Sequence, residues 1–341
     1  MSASTQDPRT QGTASPLLDV RGLRIFFGQP GREVEATRDV TFSLHPGERV
    51  GLVGESGCGK TVTGLSILGL LPPGSSRLEG SIEFDGRNLL TLSPRELRRI
   101  RGNEIGMIFQ EPMSALDPVF TIGEQIMETL HAHRKIGARE AREQAIEALA
   151  QVGIPAPDRR VDEYPHQLSG GMRQRAMIAI ALACDPRLLI ADEPTTALDV
   201  TIQAQVIDLL LKLSQSKGTA LLFITHDLGV VAESCTRVLT MYAGQVVEDA
   251  PVEQALLKPR HPYTSGLLRS MPRLSPRKAI LPSVPGRVPR LSEMPAGCRF
   301  AARCSHAAEI CHAPQELADC DVNRRVRCVR HAEFDLPGAV A

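Results

Sequence analysis

Small residues crowd one short segment between an apolar run and a helical pattern. Gly54 to Thr61 reads Gly-Glu-Ser-Gly-Cys-Gly-Lys-Thr and directly follows the apolar residues 50–53. The backbone N–H groups of such a loop can converge on phosphate oxygens at a helix N-terminus, where the helix dipole adds a favourable potential. Lys60 would then contact the β- and γ-phosphates, and Thr61 would offer its hydroxyl to Mg²⁺. The segment therefore predicts a site for a nucleoside triphosphate, made of Gly54, Glu55, Ser56, Gly57, Cys58, Gly59, Lys60 and Thr61.

One member of this loop, Cys58, carries a thiol whose role is open. The position is a variable one in the pattern, so a small side chain suffices there. We expect Cys58 to serve packing, with redox control as the alternative.

An acidic pair ends a second apolar run. Residues 188–191 read Leu-Leu-Ile-Ala and are followed by Asp192 and Glu193. A carboxylate at the end of a buried strand lies at the edge of the sheet where phosphates bind, so Asp192 would hold Mg²⁺, through water. Glu193 is the next residue, so its side chain points in a different direction from that of Asp192, and it would act on the attacking water as general base. The alternative is a capping pair at a strand-to-helix turn.

Two further polar residues follow apolar runs. Gln110 comes after residues 105–109, and its amide could contact both Mg²⁺ and the nucleophilic water. His226 comes just after residues 221–224, and its imidazole could hydrogen-bond the γ-phosphate and so distinguish ATP from ADP. Taken alone, each is more often a solvated or structural residue at a strand end. Because they occur together with the glycine-rich loop and the acidic pair, we interpret both as residues of the nucleotide site.

A third motif, Ser169-Gly170-Gly171, opens the helical stretch 172–183. Free N–H groups and one hydroxyl at a helix start form an anion site. A simple helix cap is the alternative.

The elements that would position these residues alternate between strand and helix patterns. Residues 40–44 alternate apolar and polar side chains as a half-buried strand does, whereas 105–109, 188–191 and 221–224 are continuous apolar runs typical of buried strands. Residues 146–150 and 202–213 keep an apolar spacing that lies on one face of a helix. We therefore predict an α/β layer fold.

Composition limits the classes of protein that this chain can belong to. The 341 residues include 39 basic and 39 acidic ones, a balance that gives no indication of wholesale nucleic-acid binding. No apolar stretch approaches the ~20 residues of a membrane-spanning helix. Residues 1–16 are predicted to be a disordered leader without the apolar core of a secretory signal. We therefore expect a cytosolic chain whose membrane role would come through a partner.

Taken together, these motifs resemble those of the ATP-binding cassette ATPases over roughly residues 17–270. The resemblance implies a P-loop nucleotide-binding domain over residues 17–260, with a RecA-like core, an antiparallel β subdomain and a helical subdomain at about 91–185. It also implies that ATP is sandwiched between two such subunits, with Ser169, Gly170 and Gly171 of one addressing the γ-phosphate held by the other. Asp199 would signal across that interface, and Phe27 would stack on adenine, with Phe26 as the alternative. By the same resemblance, Glu193, His226 and Gln110 would be catalytic in ATP hydrolysis, with Thr61, Asp192 and Gln110 around Mg²⁺.

Several stretches resemble one branch of that family, the oligopeptide, dipeptide and nickel importer ATPases. They are residues 108–118, 197–205 and 261–264. This branch implies a second ATPase subunit, identical or homologous, two membrane permeases and an extracellular solute-binding protein, with the chain on the cytoplasmic face of the inner membrane and no nucleic acid bound. The surface around residues 111–135 would receive a permease helix. The alternatives are an importer of nickel or another small solute, and a soluble cassette ATPase acting on ribosomes or DNA.

The C-terminal part, residues 261–341, is rich in proline and cysteine. Five cysteines crowd into residues 298–328, which in a reducing compartment favours metal over disulfides. We expect an extended segment that leads to a region held together by its cysteines, and the alternative is disorder from about residue 270 onward. By resemblance to the peptide-importer branch, Cys298, Cys304, Cys311 and Cys328 would hold a [4Fe–4S] cluster. Zinc or unmetallated thiols are the alternatives, and Cys320 is a fifth candidate ligand.

Overall fold

Two β-sheets organise the chain. The computed structural model describes residues 15–29, 31–196, 199–270 and 283–339. The strands are β1 (Leu18–Phe27), β2 (Val34–Leu44), β3 (Arg49–Val53), β4 (Ser76–Phe84), β5 (Arg87–Asn88), β6 (Ile105–Ile108), β7 (Leu188–Asp192), β8 (Ala220–Thr225), β9 (Arg237–Tyr242), β10 (Gln245–Pro251), β11 (Ala318–Asp321) and β12 (Arg324–Val326). The α-helices are α1 (Lys60–Ile67), α2 (Pro94–Ile100), α3 (Pro112–Ala115), α4 (Ile122–His133), α5 (Ala138–Gln151), α6 (Pro157–Arg160), α7 (Gly170–Leu182), α8 (Val200–Lys217), α9 (Leu228–Ser234), α10 (Val252–Leu257) and α11 (Pro262–Arg269).

The larger sheet has the strand order β11-β12-β10-β9-β3-β8-β7-β6. Strands β3 and β6 to β9 run parallel, and the register pairs Val53 with Thr225 and Asp192 with Ile224. Strands β6, β7 and β8 are fully buried, which explains their continuous apolar sequence. Because the strands are parallel, the ends of β3, β6, β7 and β8 lie along one edge, which is where open α/β sheets bind ligands.

The smaller sheet is antiparallel, with the order β2-β1-β4-β5. Leu18 pairs with Leu44 on one side of β1 and with Phe84 on the other. The inward side chains of this sheet share a core with one face of the larger sheet and with α1, so Phe42 and Ile82 belong to the same apolar cluster as Leu52. The α/β fold with an antiparallel β subdomain is therefore as predicted.

A helical region, α3 to α7, is inserted between β6 and β7. Thr121 and Glu124 form a capping box that starts α4, since each side chain bonds the other's backbone N–H. Leu130 of α4 and Leu149 of α5 are buried in a second apolar cluster that also contains Phe223 of β8. The one-face spacing of residues 146–150 thus corresponds to a packed helix.

The C-terminal residues add strands to the larger sheet. Glu248 of β10 pairs with Val326 of β12, and β11 pairs with β12 at the edge. The buried Arg324 donates to Glu248 at 2.5 Å and so attaches β12 to the core. The C-terminal residues therefore fold against the larger sheet. The predicted leader falls almost entirely outside the described residues, as do residues 271–282. The domain boundaries at 17, 260 and 341 stay predictions.

Among the helices that the structure describes, none combines the length and the apolar character needed to cross a membrane.

Candidate nucleotide site

A concave loop joins β3 to α1. Gly59 lies at the N-cap of α1 with a φ of 105°, a left-handed conformation that favours glycine. At Gly54 a Cβ atom would collide with the carbonyl oxygen of Met241, so the loop also needs glycine there to pack against β9. The N–H groups of Lys60 and Thr61 lie in the first turn of α1, where a helix offers no internal acceptor. The loop thus presents donors suited to phosphate, as the sequence predicts.

Lys60 lies inside this loop. Its side chain is almost fully buried, and Nζ donates to the carbonyl oxygens of Gly54 at 2.8 Å and Glu55 at 3.1 Å. The ammonium group is therefore held by the concave face of the loop, where it can meet a polyphosphate. Cys58 is buried beside it, and burial raises the pKa of its thiol, which supports a packing role over redox chemistry.

Thr61 and Asp192 bring the loop and β7 together. The Thr61 hydroxyl donates to Asp192 Oδ1 at 3.2 Å. Asp192 is 2% exposed, and this burial raises the pKa of its carboxyl to about 6, although the bond from Thr61 and the charge of Lys60 act against the rise. A hydroxyl beside a carboxylate is the oxygen donor set that Mg²⁺ prefers, so these residues fit the ion.

Glu193 lies at the centre of the remaining predicted residues. Its carboxylate accepts from Gln110 Nε2 at 3.1 Å and lies 3.2 Å from His226 Nδ1. The backbone of Glu193 has a φ of 45°, an uncommon conformation for a residue other than glycine. Its N–H donates to the carbonyl oxygen of Ile224 at 2.8 Å, which ties this turn to the end of β8. The ends of β6, β7 and β8 thus bring the three residues predicted to be catalytic into one cluster.

The ionisation of Glu193 is set by competing effects. Burial raises its pKa, but hydrogen bonds from His226 and Thr196 outweigh burial and lower the pKa overall. Thr196 Oγ1 donates to the carboxylate at 2.9 Å. A carboxylate held ionised near neutral pH can accept a proton from water, which is what a general base requires.

The Ser169-Gly170-Gly171 motif lies apart from this cluster. Ser169 is the N-cap of α7, and its side chain accepts from Met172 N–H at 3.3 Å. Ser169 and Gly170 are exposed, and no hydrogen bond within the described residues joins the motif to the phosphate-binding loop. Asp199, the N-cap of α8, accepts from Ile202 N–H at 3.0 Å. Both motifs are therefore helix caps in the single chain, and Ser169 and Asp199 are exposed on its surface.

Comparison with known proteins identifies the family. Residues 37–196 match the family model described as ABC transporter, and residues 247–311 match the model described as oligopeptide/dipeptide transporter, C-terminal region. A putative peptide import ATP-binding protein of Brucella melitensis is 54% identical over 332 residues, which cover 94% of this chain and 98% of that protein. The chain belongs to the ATP-binding cassette ATPases. A probable peptide ABC transporter ATP-binding protein of Sinorhizobium fredii is also 54% identical, over 87% of this chain and 90% of that protein.

A solved cassette has the same fold. It is an ATP-binding cassette solved as a dimer in a post-hydrolysis state, bound to ADP and Pi, and its sequence is 29% identical to this chain. The superposition has a TM-score of 0.62 and covers 69% of this chain and 98% of the solved one.

The two candidate adenine-stacking residues of the ATPase differ in their surroundings. Phe26 is buried, with the guanidinium groups of Arg77 and Arg24 at 4.1 Å and 5.0 Å from its ring centroid. Phe27 is only partly buried, against the core beneath the smaller sheet. The ring of Phe27 is therefore the more accessible of the two, and its stacking on adenine stays a prediction.

Four of the five clustered cysteines of the ATPase line one cavity. They are Cys298, Cys304, Cys311 and Cys328, with Phe300 and Phe334 beside them. Cys320 lies in β11 instead, where its Sγ is 3.6 Å from the carbonyl oxygen of Arg324. Within the described part of the chain, no group of three or more His, Cys, Asp or Glu side chains is arranged so that it could hold a metal ion. The donor set suits a metal, but the thiols are not arranged around a common centre.

Several residues that support the site were missed by the sequence reasoning. Thr196 lies three positions after Glu193, and Gln174 of α7 donates to the carbonyl oxygen of Pro194 at 2.5 Å, which ties the helix after Ser169 to the turn after Glu193. Tyr263 and Arg303 contact the phosphate-binding loop from the C-terminal region. A signal for Thr196 exists in the sequence, since it follows the acidic pair closely. The other three residues carry no such signal, because they reach the site through contacts between distant parts of the chain.

Proposed function

We propose that this chain is the ATP-hydrolysing subunit of a peptide importer. The cluster of Gln110 and His226 around Glu193, next to the Thr61–Asp192 pair, supports the hydrolytic part of this proposal. The match to the C-terminal region of oligopeptide/dipeptide transporters, and relatives named as peptide import proteins, support the transport part.

Each residue of the cluster has a role in the proposed hydrolysis. The loop N–H groups and Lys60 bind the phosphates of ATP, and Thr61 and Asp192 orient Mg²⁺, directly or through water. Bound Mg²⁺ supplies positive charge that neutralises the phosphates. Glu193 takes the proton of the attacking water, Gln110 positions that water, and His226 donates a hydrogen bond to the γ-phosphate.

Completion of the site would come from a second subunit. The exposed cap formed by Ser169 and Gly170 would supply an N–H group and a hydroxyl to the γ-phosphate bound by the other ATPase, with Asp199 at the same interface. Closure of two ATPases on ATP would then change the conformation of two permeases. In this assembly the chain lies on the cytoplasmic face of the inner membrane, and a solute-binding protein delivers the peptide from outside.

The deciding test is the Glu193→Gln variant in the assembled transporter. We expect turnover to fall at least about 100-fold while Mg²⁺-dependent ATP binding is kept, because only the base is lost. The exposed Glu233 of α9 provides the matched control, since Glu233→Gln removes an acid outside the cluster. Unchanged turnover in Glu193→Gln would refute the proposal.

The transport part has its own test. Gentle solubilisation of host membranes and capture of the tagged chain should recover two multi-span permeases and a solute-binding protein, whose ligand would distinguish a peptide from nickel or another small solute. Recovery of ribosomal or DNA-repair proteins would leave the ATPase chemistry intact and overturn the import proposal.

We also propose that Cys298, Cys304, Cys311 and Cys328 form one metal-ligand set, a [4Fe–4S] site in preference to zinc. All four line one cavity beside apolar rings, whereas Cys320 lies in β11, and this supports the set of four over one that includes Cys320. The four thiols would have to move closer together to ligate a metal, and each would have to lose its proton. Anaerobically purified protein that contains neither iron nor acid-labile sulfide would exclude the cluster.

A further inference from the structure

Two residues of the C-terminal region hold the second residue of the phosphate-binding loop. Arg303 donates to both carboxylate oxygens of Glu55, at 2.8 Å and 3.0 Å. Tyr263 Oη accepts from the Glu55 backbone N–H at 2.9 Å. One residue of the loop is thus fixed both through its side chain and through its backbone, by groups 208 and 248 positions later in the chain.

The Arg303 side chain is itself held firmly. It is 6% exposed, whereas the Glu55 side chain is 28% exposed. Its Nε donates to the carbonyl oxygen of Pro285 at 2.7 Å, and its guanidinium lies 5.6 Å from the ring centroid of Tyr242. A bidentate pair with further support of this kind has a defined geometry, unlike a mobile surface ion pair.

Tyr263 is part of an aromatic cluster. It is fully buried, and its ring centroid lies 4.6 Å from that of Tyr242 and 5.4 Å from that of Phe300. Phe300 and Arg303 lie in the same short segment, between Cys298 and Cys304. The segment that carries the cysteines is therefore packed against the same cluster that fixes Glu55.

These contacts bear on nucleotide binding through charge. Glu55 places a carboxylate in a loop that must receive the negative charges of a polyphosphate, and like charges repel at short range. Arg303 neutralises that carboxylate, and Tyr263 fixes the backbone of Glu55 by accepting from its N–H. The loop therefore depends on the C-terminal region for its electrostatic potential and its position.

We propose, on the basis of the nucleotide site proposed above, that Arg303 and Tyr263 are positioning residues of the phosphate-binding loop, and that through them the C-terminal region sets the affinity for ATP. Arg303 contributes by neutralising Glu55, and Tyr263 by fixing its backbone. Neither residue needs to touch the nucleotide.

The test is a set of charge variants of the full chain, with binding of the ATP analogue AMP-PNP in the presence of Mg²⁺ as the readout. Arg303→Gln should weaken binding roughly 10-fold, because the Glu55 carboxylate is left unpaired beside the phosphates. Glu55→Gln should bind more tightly than the wild type, because the Arg303 guanidinium then lies near the phosphates without a carboxylate that neutralises it. The double variant should recover to within about threefold of the wild type, a rescue that a merely structural role of Arg303 would not give.

Two further variants sharpen the result. Arg260→Gln is the matched control, because Arg260 pairs with the exposed Asp321 in the same region and does not contact the loop. Tyr263→Phe, which removes only the acceptor of the Glu55 N–H, should weaken AMP-PNP binding about threefold. Thermal unfolding of each variant without nucleotide separates loss of folding from loss of affinity.

The outcomes separate the two proposals. If the wild type and Lys60→Ala bind AMP-PNP equally, the proposed nucleotide site is wrong. If binding depends on Lys60 but Arg303→Gln binds as the wild type does, only the positioning role is refuted. Should Arg303→Gln fail to fold, Glu55→Gln alone decides, because binding in that variant that is no tighter than in the wild type would contradict the neutralisation that we propose.

Discussion

Thr61 and Asp192 are joined by a hydrogen bond of 3.2 Å, although 131 positions separate them in the chain. The bond links the first turn of α1 to the end of β7, across the edge of the larger sheet. Asp192 is buried there without an ion pair among the described residues, and its pKa is raised to about 6. The site therefore keeps a carboxylate whose ionisation costs free energy until a cation binds.

The first prediction concerns the stability of Asp192→Asn. Because the pKa of Asp192 is higher in the folded chain than the value near 3.8 of an unfolded one, its ionisation lowers the free energy of unfolding as the pH rises from about 4 to about 6. Without nucleotide, Asp192→Asn should thus be the more stable protein at pH 7.5, by ~2 kcal/mol, and the difference should shrink toward pH 5. Thermal and urea unfolding at both pH values measure this difference.

The same variant should lose its response to Mg²⁺. Wild-type protein should gain thermal stability from AMP-PNP with Mg²⁺, whereas Asp192→Asn should gain little beyond the nucleotide alone. An Asn variant that is less stable than the wild type at pH 7.5 without ligand would contradict the assigned cost of the carboxylate.

A second prediction concerns Thr196, which donates to Glu193 at 2.9 Å and helps to lower the pKa of that carboxyl. Thr196→Val removes the donor, so the pKa of Glu193 should rise. Since the base must be ionised, the acid limb of the ATPase pH profile should move to higher pH, whereas turnover at pH 7.5, where the carboxyl stays ionised, should change little. Steady-state rates over the acid limb, from about pH 4 to about pH 7.5, test the shift.

The neighbouring Thr195 offers a control for this experiment. Its side chain makes no hydrogen bond within the described residues, so Thr195→Val changes a similar volume without touching the base. A pH profile that is the same in Thr196→Val and in the wild type would show that Thr196 does not tune Glu193.

The parts of the structure that the sequence predicted correctly are those fixed by local patterns. The buried strands β6, β7 and β8 were predicted because strands covered on both faces are continuously apolar, and Gln110, Glu193 and His226 were placed because parallel strands end at one edge. The left-handed backbone of Glu193 carries no such local signal, because it is imposed by the tertiary structure.

Long-range contacts account for what the sequence could not predict. Strands β11 and β12 are short and polar, and they form because β10 offers an edge to pair with. The ion pair between Arg303 and Glu55 forms only because the fold brings together two residues that are 248 positions apart in the sequence. Spacing alone likewise left Cys320 and Cys328 as rival ligands, and only the packing of the C-terminal region separates them.

A third prediction uses that separation. Cys328→Ser should abolish the iron and acid-labile sulfide of anaerobically purified protein, because it removes one of the four thiols that line the cavity. Cys320→Ser is the matched control and should keep both, since its thiol lies in β11. Equal iron content in the two variants would show that the proposed ligand set is wrong.

The last prediction concerns assembly through the exposed cap of α7. In a Glu193→Gln background, where ATP is bound but not hydrolysed, ATP with Mg²⁺ should shift the chain from monomer to dimer. Adding Ser169→Arg should abolish this shift, because a bulky cation would fill the anion site that the second subunit presents to the γ-phosphate. Nucleotide affinity of the monomer should stay within about twofold, since Ser169 lies apart from the loop of its own chain.

Ser93→Arg is the matched control, because Ser93 is also a helix N-cap. Both variants should lose about 1 kcal/mol of stability, while light scattering should show a loss of dimerisation only in Ser169→Arg. A Ser169→Arg protein that still dimerises on ATP would contradict the proposed shared site.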